Sequence, residues 1–266
     1  MNDSARLVVE RVLDRSVVTS ARGQGPLKLL TPQNHGPGAW VYLSSLGGGF
    51  VTEDALSLEV EVGTGAVAFL SSQAAGKVYR ATTSSFSLKA QVQAGATLVS
   101  WPDPLMAFAG SRLSQRQHFE LAEGASLLCV DSFTAGRVAS GERWAMESLE
   151  LRLSISSGGA SRFIDAQTLS PRHGPLEARL AGVEALSTVV LTGPRFEPLL
   201  DPLHARITET PLERLPTTLV TSSRWPWGLV VRLAAPTTAA LVATLRELLT
   251  EALLPVLGED PWARKW

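Results

Sequence analysis

The chain has 266 residues, with 24 basic and 25 acidic side chains and a net charge of −1, which excludes a dominant basic footprint for nucleic acid. Charged residues make up only 18% and hydrophobic residues 45%, with a mean hydropathy of +0.12, yet no stretch approaches the roughly 18 uninterrupted apolar residues of a membrane span. The best candidate, 239–254, is broken by Arg246, Glu247 and Glu251. The first residues are polar and carry both signs of charge, without the apolar core of a signal peptide. The one cysteine, Cys129, permits no intrachain disulfide and fits a reducing compartment. These features predict a cytoplasmic protein, a single domain over 1–266, with more apolar surface than a monomer should want. Such surface usually marks a partner interface.

Along the chain, most signals are those of strands. Leu56, Leu58, Val60 and Val62 alternate with polar residues, the period of a half-buried strand. A Gly-containing turn then leads into 66–70. The unit recurs: Phe86 to Val92 alternates, and Gly95-Ala96 leads into 97–101. Phe119 and Leu121 alternate, and Gly124-Ala125 leads into 126–130. Leu149 to Ile155 alternates, and Gly159-Ala160 leads into 161–164. Aligned on Gly65, Gly95, Gly124 and Gly159, these are four strand–turn–strand units. None could bury its apolar face alone, so stacking into a shared core is expected. The predicted fold is therefore mainly β and β-helix-like, with a small helical C-terminal part. Helices are expected near 197–207, interrupted by Pro202, and over 237–254. The second has a Thr237 or Thr238 cap, a Leu241, Leu245, Leu248, Leu249 and Ala252 stripe, and a stop at Pro255.

Nucleotide chemistry finds no support. Gly76-Lys77 lacks the partner glycine of a phosphate loop, where Ser71 stands, and its following hydroxyl, where Val78 stands. No nucleophile elbow, zinc-type His-Glu-x-x-His or Cys-x-x-Cys occurs. His35, His118, His173 and His204 are far apart in sequence, so a closed metal cage is not expected. Carboxylates and carbonyls could still bind a divalent ion weakly and reversibly.

Three segments stand out. Gly47, Gly48 and Gly49 precede Phe50 and the acids Glu53 and Asp54, giving either a close backbone approach or a flexible loop with solvated acids. Gln73 to Arg80 contains Lys77, one of only four lysines against twenty arginines, with Tyr79 and Arg80. In extended backbone Lys77 and Tyr79 would share a face. Pro102-Asp103-Pro104 is followed later by Gly136, Arg137, Gly141 and Glu142. There Arg137 and Glu142 could also simply pair with each other.

In this order and spacing, the segments resemble the urease accessory proteins called UreD or UreH. The family pattern is a Gly-Gly-Gly turn ending in Asp, then Gln-Ala-Ala-x-Lys-Val-Tyr-Arg, Pro-Asp-Pro and Gly-Arg-x-x-x-Gly-Glu. The strand at Val230-Val231-Arg232-Leu233 is similar to the family's C-terminal region. The sequence departs from the pattern at Glu53, where the family often has glycine, and at Gly76, where it often has threonine. The resemblance covers nearly the whole chain. It implies a non-enzymatic scaffold with an extended β fold, binding a UreF-type accessory protein and, through it, a UreG-type GTPase. The assembly would dock on apo-urease and promote nickel insertion, with no tightly bound cofactor and nickel only in transit. Asp54 and Glu142 are then the expected polar groups beside a nickel path. Lys77, Tyr79, Arg80 and Arg137 would organise that region. Trp262 and Trp266 would either contact a partner or close the core. The alternative is a polysaccharide-processing enzyme on a β-helical scaffold, which would need paired carboxylates over a groove.

Overall fold

The computed structural model describes residues 3–33, 36–80, 82–211 and 218–262. In chain order the strands are β1 (Asp3–Val12), β2 (Arg15–Gly23), β3 (Leu27–Leu30), β4 (Ala39–Ser45), β5 (Ala55–Val62), β6 (Val67–Ser72), β7 (Lys77–Val78), β8 (Thr83–Val92) and β9 (Thr97–Trp101). They continue with β10 (Leu105–Ala107), β11 (Arg112–Leu121), β12 (Ser126–Thr134), β13 (Ser148–Ser157), β14 (Ala160–Leu169), β15 (Ala185–Thr192), β16 (Leu219–Trp225) and β17 (Gly228–Ala235). The helices are α1 (Leu176–Arg179), α2 (Glu197–Glu209) and α3 (Thr238–Leu257).

The strands form two sheets that the chain visits alternately. Sheet A has the order β14-β13-β11-β8-β5-β1-β2. Sheet B has the order β16-β17-β15-β12-β9-β6-β4-β3, with β10 and β7 paired at its margin. Within each sheet the successive visits are parallel: β1, β5, β8, β11 and β13 in A, and β4, β6, β9 and β12 in B. The result is a stacked-coil, β-solenoid-like arrangement, as the repeat predicts. Parallel neighbours lie ~4.8 Å apart, so equivalent positions of successive coils stack at that rise. At the ends the pairing changes sense. β2 lies antiparallel on β1, β3 on β4, β14 on β13, and β15, β17 and β16 form an antiparallel run beyond β12.

Three of the four Gly-Ala pairs are the turns from sheet A to sheet B. Gly65, Gly95 and Gly124 have φ of 67°, 67° and 74°, the left-handed region that glycine enters without Cβ penalty. The alanine after each is buried, and each turn closes with a bond such as Ala96 N–H to the Gln93 carbonyl at 3.0 Å. The turns also bond to one another: Gln93 N–H donates to the Val62 carbonyl, and Ala122 N–H to that of Val92. The fourth pair behaves differently. Gly158 and Gly159 both have positive φ, 57° and 75°, the requirement of a two-residue hairpin. This holds β14 antiparallel to β13 in the same sheet. The expected fourth coil is thus a terminating hairpin.

The two sheets bury different amounts of their strands. Between them lies a core that includes Leu7, Leu58, Val62, Leu98, Phe119 and Leu127. A second core lies between the outer face of sheet B and the helices, joining Trp40, Phe69, Val99, Leu128 and Leu191 to Leu200, Leu241, Leu245 and Leu249. Sheet B is covered on both faces and sheet A on one. Accordingly β9 is buried at every position, while β5 alternates.

The expected interruption at Pro202 and the expected stop at Pro255 are both overridden. α2 runs through Pro202, and α3 through Pro255 to an αL cap at Gly258, whose N–H bonds the Leu254 carbonyl at 2.9 Å. Pro202 and Pro255 lie on exposed faces, where the carbonyl four residues back can turn to solvent instead. The apolar stripe of α3 matches expectation, as does the Thr237 cap: its side chain accepts from Ala240 N–H at 3.0 Å. Trp262 packs edge-on against Trp101, with ring centroids 4.6 Å apart, and lies under the Arg246 guanidinium. It therefore closes the core, whereas Trp266 lies outside the described residues. Among the described residues, no helix is long and apolar enough to cross a membrane.

Candidate functional site

The singled-out segments share one place in the fold. They are the connections that carry the chain back from sheet B to sheet A in successive coils: 46–54, 73–82, 102–111 and 135–147. Parallel stacking puts these returns side by side on the edge opposite the Gly-Ala turns. A short ladder ties them together. Phe50 bridges Val78, β7 pairs with β10, and β10 pairs with β12. Beneath it a third core gathers Val78, Leu105, Ala107, Phe133, Trp144 and Met146.

The glycines of these returns are needed for space as well as conformation. A Cβ on Gly49 would stand 2.4 Å from the Lys77 carbonyl oxygen, the atom that accepts from Phe50 N–H at 2.7 Å. Gly136, with φ of 98°, would place a Cβ 2.7 Å from the Ala107 oxygen.

Side chains then brace the returns against one another. The Tyr79 hydroxyl donates to the Gly47 carbonyl at 2.6 Å, and its ring meets Phe108 edge-on at 5.7 Å. The Arg137 guanidinium lies 4.6 Å over the same Phe108 ring and holds Glu142 through two hydrogen bonds, Nε to Oε2 at 3.1 Å and Nη2 to Oε1. Glu142 Oε2 also accepts from Ala109 N–H at 3.1 Å. These two donors lower the Glu142 carboxyl below its ordinary value, with a smaller contribution from the charge of Arg80. Asp54 turns back on its own loop, where Oδ2 accepts from Val51 N–H at 2.7 Å. Asp103 Oδ2 accepts from the Ser72 hydroxyl at 3.0 Å, and that hydroxyl oxygen accepts from Asp103 N–H. Gln73 accepts from Ser44 across adjacent coils at 2.7 Å. Lys77 and Arg80 are exposed and Tyr79 half-buried. Phe50 bridges Val78 through Phe50 N–H to the Lys77 carbonyl and Tyr79 N–H to the Phe50 carbonyl, which keeps this stretch extended, with Val78 buried and Lys77 and Tyr79 on the other face. Gly141 terminates a short 3-10 turn in the left-handed region.

Inside this edge a cavity of about 210 Å³ opens between the sheets, room for several water molecules. Gly48, Gly49, Gln73, Gly76 and Asp103 stand at its wall, whereas Asp54, Lys77, Arg80, Arg137 and Glu142 do not line it. Its wall is mostly apolar, with Leu43, Leu58, Leu70, Phe86 and Leu88, but it also carries the polar groups of Ser100, Gln115, Gln117, Asp131 and Ser132. Gln115 Nε2 donates to Asp131 Oδ1 at 2.9 Å. Burial pushes the Asp131 carboxyl up to about 6, against the opposing hydrogen bonds of Gln115 and Gln117 and with the charge of Asp165 adding to the rise. Asp165 is ion-paired with Arg232 at 2.7 Å and accepts from Gln167 at 2.7 Å. The buried polar groups therefore continue from the cavity toward β14 and β17.

Gln115, Gln117 and Asp131 belong to none of the segments singled out in the sequence. The signal was two glutamines at consecutive inward positions of β11, between Leu113 and Phe119, and an acid inside the buried run of β12.

A protonated Asp131 can donate a hydrogen bond and an ionised one can attract a cation. The surrounding amide and hydroxyl oxygens suit hard or borderline divalent ions held weakly. Among the described residues, no three or more His, Cys, Asp or Glu side chains gather as a metal cluster. His118, on the outer face, contacts Ser154, and His204 contacts Ser222. His35 lies outside the described residues.

The family model for the UreD urease accessory protein matches residues 1–266. The chain is 44% identical over 265 residues to the urease accessory protein UreD of Sorangium cellulosum, covering 99% of this chain and 84% of that one. It is 42% identical to the protein of the same name from Anaeromyxobacter, covering 98% and 89%. It is 30% identical to urease accessory protein D of Arabidopsis thaliana, covering 98% and 99%.

Proposed function

This chain belongs to the UreD urease accessory protein family, which assigns it a role in urease maturation, and from that premise we propose that it is a non-catalytic scaffold and chaperone that passes nickel toward apo-urease through the cavity between its sheets. The observation that carries the reading is that three of the family-like segments, through Gly48 and Gly49, Gln73 to Gly76, and Pro102 and Asp103, line that cavity together with Asp131. In this reading nickel is cargo. Oxygen donors from Asp131, Gln115, Gln117 and Ser132 hold it loosely enough to release it, as a carrier requires. Asp54 and Glu142 serve the path by fixing the loops of its mouth, since each side chain is engaged by backbone N–H groups of its own or a neighbouring return.

Gly76-Lys77 lacks the elements of a phosphate loop, so any nucleotide hydrolysis that drives delivery belongs to a partner. The resemblance supplies the assembly: a UreF-type accessory protein on this chain, a UreG-type GTPase recruited through it, and docking on apo-urease in the cytoplasm. Replacing Ala74, an exposed rim residue, by Trp should obstruct the mouth at little cost in stability. Urease activation by nickel and bicarbonate should fall at least about tenfold, a barrier of roughly 1.4 kcal/mol, with assembly intact. Full activation by both Ala74→Trp and Asp131→Asn would refute passage through the cavity.

A further inference from the structure

The outer face of sheet A carries a feature that urease maturation does not explain. Parallel register sets its outward side chains in rows along the stack. One row runs Ser4, Ser57, Ser87, Arg116 and Arg152. The next runs Ala55, Ser85, Ser114 and Glu150. The small serines sink a shallow groove, which Arg116 walls at one end. On the other side stands the row Arg6, Glu59, Lys89 and His118, where Glu59 and Lys89 are register neighbours of opposite charge.

Arg116 and Arg152 are exposed and directly adjacent across β11 and β13. Like charges at such positions repel. Six other arginines, namely Arg6, Arg112, Arg137, Arg143, Arg224 and Arg232, are ion-paired with carboxylates. Among the described residues, Arg116 and Arg152 have no hydrogen-bond or ion-pair partner. Glu150, the nearest acid by register, stands opposite Ser114 and pairs with neither. An anion placed between the two guanidiniums would relieve the repulsion and could accept a forked pair of hydrogen bonds from each.

We propose that this groove docks an extended, acidic segment of a partner protein, its carboxylates on Arg116 and Arg152 and its backbone along the serine rows. The groove is open and crosses several strands, so it matches a chain segment better than a small ion, which exposed charges hold poorly. Serine hydroxyls share the lining with Ala55, Leu56 and Phe86, so it is the two guanidiniums that favour an acidic segment over an apolar one.

The test is fluorescence anisotropy of labelled hexaglutamate with the full chain, and it does not depend on urease activation. Binding should be saturable, weaken as salt screens the charges, and be at least about tenfold weaker for Arg116→Glu/Arg152→Glu, a loss of 1.4 kcal/mol or more. Arg116→Gln/Arg152→Gln should weaken it in the same direction, guarding against a charge-reversed chain that fails to fold. Arg172→Glu/Arg179→Glu makes the same change in net charge at exposed positions on another part of the chain and should bind like the parent. Equal binding by the Arg116/Arg152 variants, or equal loss in both glutamate variants, would overturn the proposal. Displacement of the peptide by micromolar inorganic phosphate would also overturn it, identifying a small-oxyanion site instead.

Discussion

From sheet A to sheet B the chain turns in four residues, at 63–66, 93–96 and 122–125, with glycine and alanine in the same places each time. From sheet B back to sheet A it takes longer and dissimilar paths, and these hold Tyr79, Asp103, Arg137 and Glu142. One edge is repetitive because each turn has one task, to reverse direction and bond to the turn below. The other edge is free to differ from coil to coil, so unlike side chains can be stacked side by side. A stacked-coil fold thus separates its repeat from its chemistry onto opposite edges.

The contrast can be broken from either side. The largest effect is expected for Gly49→Ala. Its Cβ would collide with backbone at 2.4 Å, and relief would need a shift of two returns at once, costing about 3 kcal/mol or more in urea unfolding.

Asp131→Asn comes next. The folded carboxyl, at about 6, lies above its free value of 3.8. The fold therefore favours the protonated acid: this stabilisation is full below about pH 4 and is lost as pH rises through 6. The variant should flatten that pH dependence and gain on the order of 3 kcal/mol at neutral pH, read from denaturation midpoints between pH 4 and 8.

Glu142→Gln should show the opposite slope and a smaller effect. The Glu142 carboxyl is lowered by Arg137 and Ala109 N–H. Its contribution is present above the unfolded value near 4.5 and disappears as pH falls through the lower folded one. The variant should melt earlier than the parent at pH 7 and converge with it in acid.

Gly95→Ala is expected to matter least. Nothing lies within 4 Å of a Cβ there, so only the positive φ is penalised, at about 1–2 kcal/mol. A loss as large as that of Gly49→Ala would dissolve the distinction between a glycine required for its conformation and one required for its space.

The edge of turns was legible in the sequence because local patterns specify it: an alternating strand, a glycine, a buried alanine. The expected fourth turn at Gly159 shows the limit. One glycine reads alike in a turn between sheets and in a hairpin, and the preceding Gly158 made the difference. The return segments were legible as ordered motifs, but their convergence was not, since it follows from parallel pairing of strands about 30 residues apart. Gln115 and Gln117 were missed for a related reason. A polar residue in a strand reads as outward until register shows that it shares a face with Leu113 and Phe119. The surplus of apolar residues, read as surface seeking a partner, is spent largely inside. Sheet B is sandwiched between two cores, and what stays exposed includes Val12 with Leu13 where β1 turns into β2 and Leu46 with Val51 in one return.

The antiparallel strands at the ends of both sheets set a length. A purely parallel stack could accept another coil at either end, or a neighbouring molecule in its place. Here β2, β3, β14 and β16 occupy those positions with strands of the wrong sense for continuing the spiral. The number of return segments is thereby fixed. A duplicated coil could enter only in the middle, where it would push the rim residues about 5 Å apart and part Tyr79 from Phe108 or Phe108 from Arg137. The fold behaves as a ruler of set length, since a further parallel coil would have to be laid on strands of the wrong sense.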